Sequence, residues 1–234
     1  MARKRLSKDD RRLQLLDAAA RLFGRSSYGQ VTTAELAKSA GVTEPVIYQH
    51  FKTKLDLYVA LLKRAREVTF ERYDQVAARF PTPMLKAIAV IRSHGQIMDE
   101  NEPYFRLHLR GVANSDMPRV KQILRENYQA YNRYFAGLIR QAQEQGEVHK
   151  AVDPEQTAWF IMSQGMFLNL CKQLGLDELQ EQGYVDSLLE DALGHISLID
   201  EPLRLIGQLL ANQPEAARAA ARPEANPEAN PEEE

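Results

Sequence analysis

Apolar residues recur along most of this chain every three or four positions, which is the spacing of one helix face, and Gly, Pro and capping residues separate the runs. From Ser7, the residues Leu13, Leu16, Ala20 and Phe23 share one stripe, and Gly24 marks its end. A second, short stripe holds Leu36, Ala37 and Ala40. Thr32 and Glu35 open it with the spacing of a capping box, and Gly41 closes it, since glycine takes the left-handed backbone without a Cβ penalty. Thr43 is placed to cap a third helix with Pro45 in its first turn and Ile47 and Phe51, four residues apart, turned inward. Thr53 and Asp56 open a fourth. Its apolar positions, Leu57, Tyr58, Leu61, Leu62, Ala65 and Phe70, continue without internal Pro or Gly to about Phe80, where Pro81 and Pro83 stop it.

The remainder is helical in pattern too. Met84 to Met98 forms a helix with Ile88, Ile91 and Ile97 inward, Asn101 to Pro103 interrupts it, and Tyr104 to Ala113 forms a shorter one. Asp116 and Pro118 start a long helix to about Gln145, with Val120, Leu124, Tyr128, Tyr131, Phe135 and Leu138 at helical steps. Asp153 and Pro154 open another, through Trp159, Phe160, Met166, Phe167 and Leu170. Beyond Gly175 a further stripe includes Val185, Leu188, Leu189, Leu193 and Ile196, and Pro202 to Leu210 reads as a short last helix. The expected fold class is therefore all-α. From Gln213 the chain repeats Pro, Glu, Ala and Asn, which bury almost nothing, so residues 213–234 read as a disordered, solvated acidic tail.

Two short helices joined through a glycine turn, with a third directly behind, form a helix-turn-helix whose second helix fits the major groove of duplex DNA. The outer face of that helix suits the task. Tyr48, Gln49 and His50 carry donors or acceptors, Glu44 can accept from a cytosine amine, and Pro45 and Val46 can pack on thymine methyls. Lys54 sits at a helix N-terminus, where a cation is unfavourable unless an anion such as phosphate approaches.

Charge changes the picture. The 234 residues carry a formal net charge of −2, which is unremarkable for a polyanion binder only if the charge is unevenly placed. It is: residues 1–66 hold fourteen Lys and Arg against six Asp and Glu, a balance of +8, and the rest of the chain carries −10. The basic start, with Arg3, Lys4 and Arg5, reads as a solvated arm able to enter a minor groove. The hydrophobic share of 44% suffices for a sizeable core, and the single cysteine, Cys171, excludes an internal disulfide and reads as a buried small hydrophobe. No apolar run follows the basic start and none is long enough to cross a bilayer, so a cytoplasmic location is expected.

The run from Thr32 to Leu57, T-x-x-E-L-A-x-x-A-G-V-T-x-x-x-I-Y-x-H-F-K-x-K-x-x-L in pattern, preceded by A-A-R-L-F and a Y-G-Q-V-T link, resembles the DNA-binding domain of the tetracycline-repressor (TetR) family over roughly Ser7 to Leu62. The resemblance implies phosphate contacts at Thr33, Thr43, Tyr48 and Lys54. It implies base reading from Glu44, Pro45, Val46, Gln49 and His50, with Tyr48 and His50 suited to either role. The sequence departs from the pattern at Glu44 and Pro45, where many members carry small or basic residues. Three segments are expected: a helix-turn-helix domain at 1–62, a helical ligand-binding and dimerisation domain at 63–212, and the tail at 213–234.

The resemblance also implies an effector cavity between the helices of the second segment. Phe70, Ile91, Met98, Phe105, Tyr128, Tyr131, Phe135, Phe160 and Phe167 are candidates for its wall, with His94, His108, Asn132 and Gln164 as its polar groups; the expected ligand is mainly apolar, such as a fatty acyl chain or a lipophilic drug. The same residues also suit an ordinary core. The helices over residues 153–172 and 184–198 are apolar on more than one face, as in a two-fold homodimer built on them. An effector would then tilt the long helix from Lys54 as a rod and change the separation of two recognition helices. Release from a pseudo-palindromic operator is the common outcome in that family.

No catalytic motif is present: P-loop, G-x-S-x-G, H-E-x-x-H and C-x-x-C are all missing, so no enzyme activity and no cofactor are expected. His94, Asp99, Glu102 and His108 are near in sequence, but at a spacing too irregular to predict a metal site. The rival reading is a helical binding or adaptor protein whose head does not engage DNA.

Overall fold

The computed structural model describes residues 7–100, 102–176, 179, 181–193, 205, 206, 208 and 209. Among them, ten α-helices follow one another: α1 (Lys8–Arg25), α2 (Thr33–Ala40), α3 (Glu44–His50), α4 (Lys54–Ala77), α5 (Pro83–Arg92), α6 (His94–Glu100), α7 (Glu102–Ala113), α8 (Pro118–Glu144), α9 (Pro154–Gln173) and α10 (Gln182–Leu193). The all-α class follows from the pattern that predicts it. The basic arm, the positions beyond residue 193 in the helix expected to reach 198, the inward position at Ile196 and the acidic tail lie outside the described residues. So does most of the helix expected at 202–210, although Leu205, Ile206, Gln208 and Leu209 are helical.

Caps account for several boundaries. Ser7 Oγ accepts from the Asp10 N–H at 3.0 Å, Thr53 Oγ1 from Asp56 at 3.0 Å, and Asp153 Oδ1 from Gln156 at 2.8 Å. Thr32 and Glu35 form the full reciprocal box, with Glu35 N–H on Thr32 Oγ1 at 3.2 Å and Thr32 N–H on Glu35 Oε2 at 2.8 Å. Those contacts hold the Glu35 carboxyl below its ordinary pKa. Gly41 closes α2 at φ 65°, as the turn requires.

Four local expectations are corrected. Gly24 does not end α1, which runs to Arg25; Gly24 is buried because Pro103 of α7 lies against it, and a Cβ there would stand 3.1 Å from the Pro103 carbonyl oxygen. Leu13, expected inward, is 43% exposed, because the core takes its neighbours Leu15 and Leu16 instead. Thr43 precedes α3 in the extended geometry of an N-cap, but its side chain makes no capping bond. The helix expected from Met84 to Met98 is two helices, since Ser93 (φ −84°, ψ 0°) leaves helical geometry between α5 and α6.

The first core cluster joins the head to the body. Leu15, Leu16, Ala19 and Phe23 of α1, Leu36 of α2, Ile47 of α3 and Leu57, Leu61 and Leu62 of α4 pack with Leu107 of α7 and Val120, Ile123 and Leu124 of α8. Residue 62 therefore lies in the middle of α4 and of a shared core. α4 is a column of roughly 36 Å at the usual helical rise, and Asn127 of α8 fastens it by donating Nδ2 to the Leu62 carbonyl at 3.0 Å. Two further clusters build the body. One gathers Phe80, Leu85 and Ile88 with Ile139, Leu168, Val185 and Leu189; the other gathers Tyr73, Val90 and Ile97 with Tyr131, Phe135, Ala158 and Met162. Arg92 ties α10 to α5 through two 2.8 Å bonds to the Asp186 carboxylate, a bidentate geometry.

Candidate nucleic-acid interface and buried cavity

α3 is held to the head by Ile47, with Phe51 just past its end, and both are nearly inaccessible. The opposite face is open. Tyr48 is 48% exposed, Thr43, Pro45 and Gln49 are exposed, and Glu44, Val46 and His50 are half-buried. One side chain projecting inward from a seven-residue helix thus leaves a continuous outer surface with the shape and chemistry of a groove-reading element.

The residues around α3 are tied to one another more closely than the sequence indicates. Thr33 donates Oγ1 to Glu44 Oε2 at 2.6 Å, so a hydroxyl expected at phosphate and a carboxylate expected at a base form one unit across the turn. The carboxylate sits in the first turn of α3, where the helix dipole favours a negative charge. Lys54 corrects the premise that only an anion explains a cation at that helix start: its Nζ donates to the carbonyls of Tyr28 and Val31, both at 2.9 Å, and lies 4.3 Å from the Tyr28 ring centroid. Arg12 plays a similar part at the other end of α3, donating to the His50 carbonyl at 3.1 Å and covering the Phe51 ring. Partial burial, together with Lys8, Arg12 and Arg11, lowers the His50 pKa, which keeps a neutral imidazole at the groove face.

In the body a cavity of about 80 Å³ lies between α4, α5, α6, α7, α8 and α9. Eight of the predicted residues line it: Ile91, His94, Phe105, His108, Tyr128, Tyr131, Phe135 and Gln164. Four do not. Met98 is buried in α6 and does not line the cavity, and Phe70 lies in an aromatic group, edge-on to Tyr131 at 5.2 Å and stacked on Tyr134 at 5.5 Å. Phe160 and Phe167 are 52% and 44% exposed, on the outside of α9. Asn132 also stays out of the cavity, donating Nδ2 to the Glu155 carbonyl at 3.0 Å and so pinning α8 to α9. The wall includes residues the periodicity left unassigned: Thr69 and Tyr73, four apart on α4, and Ile161, Gly165, Leu168 and Asn169, spaced along one face of α9. That spacing was the available signal.

The polar side of the cavity is a string of rings. His94 meets Phe105 edge-on at 5.4 Å, Phe105 meets His108 at 5.9 Å, and the Tyr131 hydroxyl and His108 Nε2 are hydrogen-bonded at 3.2 Å. Burial pushes both imidazoles down to about 4, with the backbone of Gly165 opposing and Lys172 reinforcing the shift at His94, and with His94 reinforcing it at His108. Both are neutral near pH 7. Burial also raises Tyr131 above the ordinary phenol range. Among the described residues no group of three His, Cys, Asp or Glu could hold a metal ion; Asp99 pairs with Lys172 and Glu102 with Arg106.

α7 touches both places. Phe105 and His108 line the cavity, while Tyr104 donates to Asp17 of α1 and Arg110 donates Nε to the Gly24 carbonyl at 2.9 Å and Nη2 to that of Arg25 at 3.1 Å. The outer face of α9 carries Trp159, Phe160, Phe167 and Leu170, all between 44% and 52% exposed, with Leu174 exposed just past its end and Met166, also exposed, at the edge of the cavity. That is a larger apolar patch than isolated surface residues produce. No helix among the described residues is long and apolar enough to cross a membrane.

Comparison with known proteins adds sequence likeness to this geometry. Residues 15–61 match the family of bacterial regulatory proteins named for tetR, and residues 113–184 match a tetracyclin repressor-like C-terminal domain. The HTH-type transcriptional repressor BepR of Brucella suis is 31% identical over 176 residues, covering 72% of this chain and 84% of that protein. The HTH-type transcriptional activator FasR of Mycolicibacterium smegmatis is 50% identical over 60 residues, which is 26% of this chain and 27% of that protein. The crystal structure of the transcriptional regulator FadR of Bacillus subtilis in complex with stearoyl-CoA superposes with a TM-score of 0.67 at 21% identity, covering 77% of this chain and 96% of that one. At that identity the likeness speaks for the fold alone.

Proposed function

Because this chain belongs to the TetR family and is a ligand-responsive, DNA-binding transcriptional regulator, we propose that it acts as a homodimeric repressor that a small, mainly apolar effector releases from a pseudo-palindromic operator. The observation that carries the reading is the opposition of two surfaces on one rigid frame. α3 turns Tyr48 and Gln49 to solvent from a basic head, and α4 and α7 run from that head to an apolar cavity in an acidic body.

Exposure around α3 supports the following assignment of contacts. Tyr48, Gln49 and His50, with Pro45 and Val46, face the bases from α3; Thr43 and Tyr48 reach phosphates at its rim; Lys54 retains one ammonium proton for phosphate after its two carbonyl bonds. Two copies meeting through the apolar outer face of α9, with α10 beside it, cover Trp159, Phe160 and Phe167 and set half-sites about 34 to 36 Å apart or at a longer spacing in the same register. The cavity is small beside the roughly 300 to 1,000 Å³ of sites that hold drug-sized molecules. Admitting an acyl chain or a lipophilic drug therefore requires α5 to α9 to part. Work done on those helices is what changes the separation of the heads, and the effector shifts the equilibrium only by its preference for one separation. The relatives include both a repressor and an activator, and the repressor reading follows BepR, which this chain matches over 72% of its length against 26% for the activator.

Selection of bound sequences from a random duplex pool, repeated with Tyr48→Ala, tests the reading. A two-fold-related consensus whose affinity falls steeply with salt, and drops on addition of an acyl or aromatic lipophile, is expected. Salt-insensitive binding without a consensus would leave only a helical binding protein.

A further inference from the structure

The effector reading leaves two atoms of the cavity wall unexplained. Asn169 Oδ1, from α9, is inaccessible and has no hydrogen-bond partner, and His94 Nε2, from α6, is inaccessible with only the backbone of Gly165 beside it and no bond of good geometry. Buried polar atoms are nearly always paired, because leaving one unpaired forfeits its hydration without return. Gly165 lets α9 come close to the imidazole. A Cβ there would stand 3.3 Å from His94 Nε2, so the one residue of α9 opposite the imidazole is the one without a side chain.

Charge narrows what fits. The lining contains no Lys, Arg, Asp or Glu, and its two imidazoles are neutral. The two cations whose fields reach the wall, Lys172 and Arg66, stand outside the lining, and Lys172 holds the Asp99 carboxylate. An anionic carboxylate would enter with acceptors only, facing one carbonyl oxygen and one imidazole, and would lose its hydration without gaining a cation. A hydroxyl both donates and accepts, so it donates to Asn169 Oδ1 while accepting from His94 in the tautomer that carries its proton on Nε2.

Resting on the effector reading above, we propose that the cavity selects an uncharged lipophile bearing a hydroxyl, seated between His94 and Asn169 with its apolar part along Phe105, Ile161 and Leu168. The ligand class is thus an alcohol or phenol rather than a fatty acid anion or an organic cation.

Three probes of equal length separate the cases: octanol, its acceptor-only isostere methyl heptyl ether, and octanoate, each titrated calorimetrically into the full chain at pH 7.5. Octanol should bind about tenfold more tightly than either of the others, the difference expected of one satisfied buried pair. His94→Phe and Asn169→Leu, checked for native helicity, should each bring octanol to the level of the ether. Because the comparison among the three probes is made on the unaltered protein, it stands even where a variant fails to fold. Octanoate or the ether binding as tightly as octanol overturns the assignment while leaving an apolar effector in place. Binding of none of the three, by a protein that still retains duplex in a salt-dependent manner, overturns both.

Discussion

Arg110 of α7 donates its Nε to the carbonyl oxygen of Gly24, 2.9 Å away on α1. Two residues earlier on the same helix, His108 lines the cavity, so the clasp on the head and the wall of the cavity belong to one rigid segment. The sequence pattern points to α4 alone as the link between head and cavity; α7 offers a second and shorter one, whose part in coupling the next variant tests. Charge-assisted bonds of this kind contribute about 1.5 to 3 kcal/mol when made. Arg110→Ala should therefore lower stability by roughly that amount or less, and should weaken the effect of effector on DNA affinity about fivefold or more while leaving effector affinity unchanged. Parallel titrations of effector into free and duplex-bound protein measure both; an unaltered coupling would assign the route to α4 alone.

The parts of this molecule that were legible in its sequence are those set by nearest neighbours. The capping box at Thr32, the left-handed Gly41 and the inward Ile47 and Phe51 depend on spacing within a turn or two. What escaped depends on a partner far along the chain. Gly24 reads as a stop signal until Pro103 is seen against it, and the cation of Lys54 at a helix start reads as explained by phosphate alone until the Tyr28 and Val31 carbonyls are seen around it. Phe160 and Phe167 share the composition of a cavity wall, yet a helix apolar on two faces gives no sign of which face meets the inside. Only the Ile161, Gly165 and Asn169 face does so.

Thr33 and Glu44 form a single unit at 2.6 Å, and that pair stands at the start of the reading helix. A carboxylate near phosphates repels the duplex in general and rewards one base in particular, through the cytosine amine. Glu44→Gln should therefore tighten binding to nonspecific duplex while relaxing the preference at one position per half-site, by about 1 to 3 kcal/mol of discrimination. Thr33→Val, which frees the carboxylate to turn, should relax the same position less. Selection from a random pool with each variant reads both effects, and a preference lost evenly across the site would make Glu44 a structural residue only.

The apolar outer face of α9 predicts a second copy. Phe167 is 44% exposed and Phe160 52%, seven residues apart on the same side of the helix. A glutamate placed there leaves the monomer's own core untouched but puts a charge into the proposed contact, which is costly to desolvate without a partner. Phe167→Glu should shift the sedimentation coefficient from dimer to monomer at micromolar concentration and abolish high-affinity binding to a two-half-site duplex, with thermal unfolding of the monomer little changed. A variant that remains a dimer would move the interface away from α9.

The buried imidazoles of His94 and His108 predict how stability responds to acid. Both titrate at about 4 in the folded protein, below the ordinary 6.5 of an unfolded chain. Between those values the unfolded chain binds protons that the native cavity refuses, so unfolding is favoured as the pH falls. The stabilising contribution is full above about 6.5 and declines through the window down to about 4, with a slope of up to about 1.4 kcal/mol per pH unit for each histidine. Carboxylates held low by their partners, such as Asp56 beside Arg119 and Thr53, act below this window, since their folded pKa lies under the ordinary 3.8. Urea midpoints measured from pH 7 to pH 5 should thus fall for the natural chain and fall about half as steeply for His108→Phe. Equal slopes in the two would mean that the imidazoles reach water in the native state, and the cavity could no longer be treated as dry.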